Sequence, residues 1–165
     1  MNDLVTANGN IAGPVCVLLV GLPGSGKSTW RTSLGTNYTF LSTDDYVEKV
    51  AKAYGTTYDR VWVQHIDEAT KAMDIEFREA IESKKSIAVD RTNLSLKSRR
   101  KFLSQLPKIY SKVAVYFEID EELRQMRMKG REGKLIPAAA DDRLRSAYVR
   151  PTKDEGFDMI LTGVA

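Results

Sequence analysis

One short segment of the sequence combines residue types in the order that a triphosphate-binding loop requires. Residues 21–28 read Gly-Leu-Pro-Gly-Ser-Gly-Lys-Ser and match the pattern G-x-x-x-x-G-K-[ST]. Glycines let backbone N–H groups point at phosphate oxygens, and the helix that follows adds its positive dipole end. Unless the segment is only a turn between a strand and a helix, Lys27 should bridge the β- and γ-phosphates of ATP and Ser28 should hold Mg²⁺. The candidate nucleotide-binding residues are Gly21, Pro23, Gly24, Ser25, Gly26, Lys27, Ser28 and Thr29.

Carboxylates follow two of the predicted strands. Asp90 ends the apolar run 87–89, and Asp44 comes shortly after the weaker run 38–41. Ligands of parallel α/β sheets bind beyond the carboxyl ends of the strands, so both carboxylates are expected beside the phosphate loop. Asp90 is a candidate ligand of Mg²⁺ or its water and an acceptor for the Ser28 hydroxyl, while Asp44 is a candidate general base toward a hydroxyl acceptor. Either aspartate could instead cap a helix.

A basic cluster further along the chain predicts a lid over the phosphate loop. Arg127 and Arg131 are four residues apart, so on a continuous helix they would share one face. Two guanidinium groups there could clamp the charge of a transferring phosphoryl group. The alternative is a solvated basic surface. The cluster leads into a glycine-containing loop before Pro137, and its basic members are Arg124, Arg127, Lys129, Arg131 and Lys134.

Between Arg91 and Lys112 every charged residue is basic. Such a run suits contacts to a polynucleotide backbone, and the segment is the candidate contact to a nucleic-acid substrate, with DNA favoured over RNA. The alternative is a solubilising face, since most charge runs are no more than that. The basic residues of this segment are Arg91, Lys97, Arg99, Arg100, Lys101, Lys108 and Lys112.

The apolar pattern supplies the elements that would position these residues. Apolar runs, most of them typical of strands buried on both faces, predict strands at 15–20, 38–41, 86–89, 113–117 and 159–161. Apolar residues at three- and four-residue spacing predict helices at 27–34, 44–54, 58–84, 95–105, 121–129 and 137–148. The alternation predicts an α/β P-loop NTPase fold, with a central parallel sheet of four or five strands flanked by helices and an arginine-rich lid.

Length and composition fit one domain in a reducing compartment. With 165 residues, 42% of them hydrophobic, the chain can bury one core, which we expect at residues 14–165 after a flexible leader at residues 1–13. The single cysteine, Cys16, excludes an internal disulfide. No apolar run is long enough to cross a bilayer and the start lacks a signal-peptide pattern, so a cytoplasmic protein is expected, in the host cytoplasm if the chain is phage-encoded. A net charge of +3 permits an anionic substrate.

In order and spacing, these motifs resemble the P-loop polynucleotide 5′-hydroxyl kinase family. That family is typified by the phage enzyme and by kinase domains of nucleic-acid repair proteins, alongside zeta-toxin and AAA_33-type ATP-binding kinases. The likeness runs from about Val15 to Ile160. Its landmarks are the phosphate loop at 21–30, Thr43-Asp44-Asp45-Tyr46, Asp90-Arg91-Thr92-Asn93-Leu94, Arg99-Arg100, the lid at 127–137 and the closing segment at 151–158.

The resemblance implies transfer of the γ-phosphate of ATP to a hydroxyl group, with Mg²⁺ as the metal. By match to the family motifs, Asp44 is the general base, Arg131 and Arg127 belong to the lid, and Asp90 lies near the metal. The chain departs from the phage enzyme at Val47, where that enzyme has an arginine that meets the phosphate next to the reactive hydroxyl.

The leading hypothesis is therefore a kinase of a nucleic-acid hydroxyl. One alternative is a kinase of a hydroxymethylated base such as 5-hydroxymethyluracil in phage DNA, which the loss of the arginine at Val47 would suit. A second is a small-molecule kinase for a nucleoside, sugar or antibiotic, which would not need the basic segment. A third is a non-enzymatic nucleotide-dependent binding module, to which Asp44 and the lid arginines would be surplus.

Overall fold

The central strand β1, Val15–Val20, is buried along its whole length because all six of its residues are apolar. The structure, a computed structural model, describes residues 13–163. The leader predicted at residues 1–13 lies outside this range except for Gly13. Within the range, no helix is both long enough and apolar enough to cross a membrane.

Four further strands flank β1 in a five-stranded sheet. The strand order is β2-β3-β1-β4-β5, and every neighbouring pair is parallel. The predicted α/β architecture with a parallel sheet is therefore confirmed. The flanking strands are β2 Tyr38–Leu41, β3 Ser86–Val89, β4 Ser111–Tyr116 and β5 Met159–Thr162.

Strand β4 begins two residues before the predicted start at Val113. In the ladder between β1 and β4, Val15 pairs with Ser111 and Cys16 pairs with Lys112. The polar residues join the strand through their backbones, and their side chains are only partly buried. The apolar pattern marks the buried part of the strand alone, so it missed this end.

The predicted helices are all present, with boundaries moved by local caps. Ser95, predicted as helical, is the N-cap of α4, because its hydroxyl accepts a hydrogen bond from the Ser98 N–H. Helix α1 ends at Arg31, short of the predicted end at Leu34. The helices are α1 Lys27–Arg31, α2 Thr43–Ala53, α3 Tyr58–Glu82, α4 Leu96–Leu103, α5 Glu121–Lys129 and α6 Ala138–Ala147. A 3₁₀ turn, Lys153–Glu155, precedes β5.

Aromatic side chains cover both faces of the sheet. On one face Phe77 of α3 and Phe102 of α4 pack edge to face with ring centroids 5.2 Å apart, in the same buried cluster as Leu18. On the other, Trp30 of α1 packs against Phe117 at 6.0 Å. Each such buried side chain contributes about 1.5–3 kcal/mol. Because β1 is held from both sides, its carboxyl end is a fixed platform for the loop that follows.

One residue of the predicted nucleic-acid contact segment, Arg99, is fully buried. Its Nε and Nη2 donate to the two carboxylate oxygens of Glu155 at 2.6 and 2.8 Å. Its Nη1 donates to the backbone oxygens of Asn93, Leu94 and Val149. Arg99 thus ties the loop after β3 to the segment before β5, and its inclusion among the nucleic-acid contacts was wrong.

Lys101 of the same segment is also engaged within the chain. Its ammonium donates to both carboxylate oxygens of Asp74 at 2.8 and 2.7 Å. The exposed members of the segment are Lys97, Arg100, Lys101 and Lys108.

Replacing Arg99 by methionine should lower the free energy of unfolding by about 3–5 kcal/mol, because Glu155, whose side chain is 7% exposed, would lose its partner. Arg100→Met, at the neighbouring exposed position, is the matched control and should stay within about 0.5 kcal/mol of wild type. Urea unfolding followed by circular dichroism measures both. Equal stability of the two variants would contradict the structural role of Arg99.

Candidate functional site

The segment that joins β1 to α1 is a tight loop. Gly24 has a φ of +83° and Gly26 a φ of +97°, in the left-handed region that glycine tolerates. A Cβ atom on Gly24 would lie 3.1 Å from the sulfur of Met128, and one on Gly21 would lie 2.7 Å from Oγ of Ser25. Larger residues would therefore strain or crowd the loop at the motif's glycine positions.

The loop carries polar groups that its own chain satisfies only in part. Oγ of Ser25 is buried and has no hydrogen-bond partner within residues 13–163. The Lys27 ammonium donates to the backbone oxygens of Gly21 and Leu22 at 2.7 and 2.9 Å, which uses two of its three N–H bonds. Burial lowers the pKa of Lys27 to about 8. A buried hydroxyl and a buried cation at the start of a helix fit an anionic ligand such as the terminal phosphates of a nucleotide.

Asp90 lies at the end of β3, where the strand pattern predicted it, and is nearly buried. It accepts a hydrogen bond from Nη1 of Arg31 at 3.2 Å rather than the predicted one from Ser28. Nη2 of Arg31 donates to Asp45 at 2.6 Å, so one guanidinium joins α1 to the first turn of α2 and to the end of β3. Burial raises the pKa of Asp90, and the charges of Arg31 and Lys27 oppose that rise.

The structure also decides between a capping role and a free carboxylate for both aspartates. The N-cap of α4 is Ser95, and the N-cap of α2 is Ser42, whose hydroxyl accepts a hydrogen bond from the Asp45 N–H at 3.2 Å. Neither Asp90 nor Asp44 is therefore an N-cap of the helix that follows it. Both carboxylates remain available for other partners.

The residues present fit a magnesium ion that a nucleotide helps to hold. In the described part of the chain, no group of three His, Cys, Asp or Glu side chains could bind a metal. Mg²⁺ does not require one, since it keeps several waters and takes one or two carboxylates together with phosphate oxygens. Ser28 is exposed at the start of α1, and Asp90 supplies a carboxylate at the neighbouring strand end.

Asp44 is exposed in the first turn of α2 and accepts a hydrogen bond from Tyr58. The Tyr58 hydroxyl donates to Oδ1 of Asp44 at 2.8 Å. Burial, together with the Asp44 carboxylate, raises the pKa of Tyr58, so the phenol stays protonated and remains a donor. The hydrogen bond holds one oxygen of Asp44 and leaves Oδ2 for another partner.

Arg127 and Arg131 approach the phosphate loop from different structural settings. Nη1 of Arg127 in α5 lies 3.5 Å from the backbone oxygen of Gly24. Helix α5 ends at Lys129, before Arg131, so the continuous helix on which the two arginines would share one face is not present. Gly130 is the C-cap of α5, and its N–H donates to the backbone oxygens of Met126 and Met128. Nη1 of Arg131 lies 3.8 Å from the sulfur of Met128, which lies beside Gly24, so both arginines still come close to the loop.

Arg124, which sequence spacing grouped with the lid, is fully buried and structural. Its guanidinium donates to both carboxylate oxygens of Glu121 and both of Asp141, which joins α5 to α6. It also donates to the backbone oxygen of Pro23 at 3.4 Å. Arg124 therefore fixes the base of the lid against the phosphate loop.

Two residues of the site were not predicted from the sequence. Arg31 follows Ser28 by three residues and Lys27 by four, and this helical spacing was a signal that it would lie on the same side of α1. Tyr58 gave no such signal, because its contact with Asp44 depends on how α3 packs against α2.

The sequence model of the AAA domain family AAA_33 matches residues 16–151, which include every site residue described above. The solved structures of similar fold described below are each less than 25% identical to this chain, so they bear on the fold alone. A protein of Chloroflexus aurantiacus taken to be a kinase is 18% identical, with 93% of this chain and 86% of that chain covered and a TM-score of 0.68.

A chain of the Pnkp1/Rnl/Hen1 RNA repair complex is 22% identical, with 86% of this chain covered and a TM-score of 0.63. The match spans only 46% of that longer chain. A gluconokinase from Sinorhizobium meliloti 1021 is 20% identical, with 90% and 81% of the two chains covered and a TM-score of 0.55. Together with the match to residues 16–151, these likenesses confirm the predicted fold: the chain belongs to the AAA_33 family of AAA domains and has the fold of P-loop kinases.

Proposed function

We propose that this chain is an ATP-dependent kinase that transfers the γ-phosphate of Mg-ATP to a hydroxyl group of a nucleic acid. The observation that carries the proposal is the surroundings of the Lys27 ammonium. Besides burial, the charges of Asp90, Asp44 and Arg131 each act on the pKa of Lys27. A candidate metal ligand, a candidate base and a lid arginine thus all lie within electrostatic reach of the phosphate-binding cation Lys27, as phosphoryl transfer requires.

Each part of the site has a role in this proposal. The N–H groups of the loop and Lys27 bind the β- and γ-phosphates. Ser28 and Asp90 hold Mg²⁺ directly or through water, and the bound ion would supply positive charge to the phosphate oxygens. Arg127 and Arg131 neutralise the charge that spreads over the transferring phosphoryl group.

Asp44 activates the acceptor. Its free oxygen Oδ2 takes the proton of the acceptor hydroxyl while the hydroxyl oxygen bonds to the γ-phosphorus. The bond between that phosphorus and the bridging oxygen of the β-phosphate breaks, and ADP leaves with the electron pair. The contact at 2.8 Å between Tyr58 and Oδ1 supports this assignment, because it leaves a single oxygen of Asp44 for the acceptor.

The surface of α4 supports a polynucleotide as the acceptor. Lys97 and Arg100 are both exposed on the surface of α4. Exposed cations on one helix suit phosphate contacts, which supply most of the salt-dependent affinity for nucleic acids.

A second candidate acceptor, a hydroxymethylated base within DNA, is favoured by the position of Val47. Val47 is fully buried and packs in a core cluster with Ala51, Val61 and Ala69. The position that holds a phosphate-contacting arginine in the phage enzyme therefore faces the core here. An acceptor hydroxyl with no adjacent phosphate, as on a hydroxymethyl group, would not need that contact.

We expect the purified chain to transfer label from γ-labelled ATP, in millimolar magnesium, to a 5′-hydroxyl oligonucleotide or to a duplex containing 5-hydroxymethyluracil. Asp44→Asn should lower transfer by about 100-fold or more, because the acceptor loses its base, with the Kd for ATP nearly unchanged. Asp67→Asn, an exposed change on α3, is the matched control and should keep full activity. If only gluconate or nucleosides were labelled, the acceptor would be a small molecule and not a nucleic acid. Full turnover by Asp44→Asn would refute the assignment of Asp44 as the base.

Reversing the charges of the α4 surface should separate a polynucleotide acceptor from a small one. The double variant Lys97→Glu/Arg100→Glu should raise the KM for an oligonucleotide about tenfold or more at low salt and flatten its salt dependence. Lys52→Glu/Lys71→Glu, which reverses two exposed charges on α2 and α3, is the control. It should change neither the KM for the oligonucleotide nor the salt dependence of that KM. An unaltered KM in the first variant would argue against the α4 surface as the contact.

Nucleotide binding should take up a proton near pH 8. Because burial lowers the pKa of Lys27 to about 8, the free protein loses this charge as the pH rises through that value. Bound phosphates favour the charged form, so the Kd for Mg-ATP should weaken between about pH 7 and pH 9.5. Titration calorimetry with a non-hydrolysable ATP analogue, in buffers of different ionisation enthalpy, measures the uptake.

Lys27→Arg provides the control for this titration, since a guanidinium stays charged throughout and should bind without proton uptake. Wild-type binding at pH 8 with no uptake would contradict a lowered pKa of Lys27 in the free protein.

A further inference from the structure

We propose that Tyr58 is a positioning residue that couples docking of the lid to the orientation of Asp44. The inference rests on the proposed function, in which Asp44 accepts the proton of the acceptor hydroxyl. It goes beyond that function by assigning a role to the start of α3 and to the loop that follows α5. That loop, residues 130–137, is called the lid loop below.

The first half of the coupling is the hydrogen bond from Tyr58 to Asp44. Asp44 is exposed near the start of α2, and its carboxylate can turn about its side-chain bonds unless something holds it. The Tyr58 hydroxyl, 2.8 Å from Oδ1, fixes that orientation. A donor that holds one carboxylate oxygen presents the other in one direction, as general-base catalysis requires.

The second half is the contact of the lid loop with the same tyrosine. The ammonium of Lys134 lies 4.8 Å from the centroid of the Tyr58 ring, in a cation–π arrangement. The same ammonium forms an ion pair with Glu48 of α2. Lys134 therefore holds the ring of Tyr58 from the lid side while the hydroxyl of Tyr58 holds Asp44.

The backbone of the lid loop is docked at the same place. The N–H of Asp59 donates to the backbone oxygen of Gly133 at 3.0 Å. A Cβ atom on Gly133 would lie 3.1 Å from the side chain of Thr57, so the two segments touch. The lid loop thus meets the first turn of α3 through its backbone and through Lys134.

These contacts link two events that the reaction needs together. Arg131 lies in the lid loop, and its Nη1 is 3.8 Å from the sulfur of Met128, which lies beside Gly24 of the phosphate loop. When the lid loop is docked, the arginine is close to the phosphate loop and the tyrosine is held against Asp44. When the lid loop leaves, the ring of Tyr58 loses its cation and Asp44 loses a fixed donor. Asp44 is therefore held in the orientation that the acceptor needs only while the phosphate-binding cations are in place.

The test uses the full chain and the acceptor that wild type labels best. Tyr58→Phe keeps the ring and removes the hydroxyl, so kcat should fall about tenfold or more while the KM for ATP stays within about twofold. Tyr54→Phe, an exposed tyrosine at the end of α2, is the matched control and should behave as wild type. Lys134→Met should lower kcat severalfold, and Lys71→Met, at an exposed lysine of α3 outside the site, should not.

The decisive comparison is the double variant Tyr58→Phe/Lys134→Met. If Lys134 acts through the tyrosine hydroxyl, the double variant should have the kcat of Tyr58→Phe within about twofold. If the fold-losses in kcat of the two single variants multiply in the double variant, the coupling is wrong. A wild-type kcat in Tyr58→Phe would also overturn it. If Tyr58→Phe does not fold, a severalfold loss in Lys134→Met with the fold intact supports the coupling, and full activity overturns it.

The same measurements separate this inference from the proposed function. If wild type labels an acceptor, Asp44→Asn does not and Tyr58→Phe is fully active, the coupling is wrong and the proposed function stands. If wild type labels none of the acceptors, the proposed function fails and the coupling fails with it.

Discussion

The buried ammonium of Lys27 is the constraint around which the rest of the site is organised. A cation can be taken out of water only where partners replace its hydration, and here the backbone oxygens of Gly21 and Leu22 supply part of that replacement. The lowered pKa shows that the compensation is incomplete. The hydroxyl of Ser25, buried beside it without a partner in the described residues, adds a second group that an anion would satisfy. A terminal phosphate would complete both, since it brings negative charge and several acceptor oxygens.

Three arginines build the frame of the site and two face its centre. Arg31 joins α1 to the first turn of α2 and to the end of β3. Arg99 joins the loop after β3 to the segment before β5, and Arg124 joins α5 to α6 and to the phosphate loop. Each forms bidentate or multiple hydrogen bonds with carboxylates and carbonyls, which suits the planar, permanently charged guanidinium. Arg127 and Arg131 approach the phosphate loop instead. Some arginines of this region thus link structural elements, and others place positive charge beside the phosphate loop.

Patterns that depend on neighbouring residues were predicted well from the sequence. The phosphate motif, the strand β1 before it and the strand-ending position of Asp90 are all local, and the structure has them where the pattern indicated. The roles of basic residues were not predicted, because a run of charges does not tell which members face inward; Arg99 and Arg124 are buried, although spacing grouped them with exposed residues. The contact between Tyr58 and Asp44 depends on helix packing, and the end of α5 on a glycine cap. The spacing of apolar residues alone predicts neither this contact nor this helix end.

The proposed kinase activity depends most directly on whether the loop before Lys27 binds a nucleoside triphosphate. Titration calorimetry of the folded chain with a non-hydrolysable ATP analogue in millimolar magnesium measures this, with AMP as the comparison ligand. We predict saturable binding of the analogue to one site and much weaker binding of AMP, because the loop holds the β- and γ-phosphates that AMP lacks. A folded chain that binds neither ligand, or binds both equally, would contradict the account.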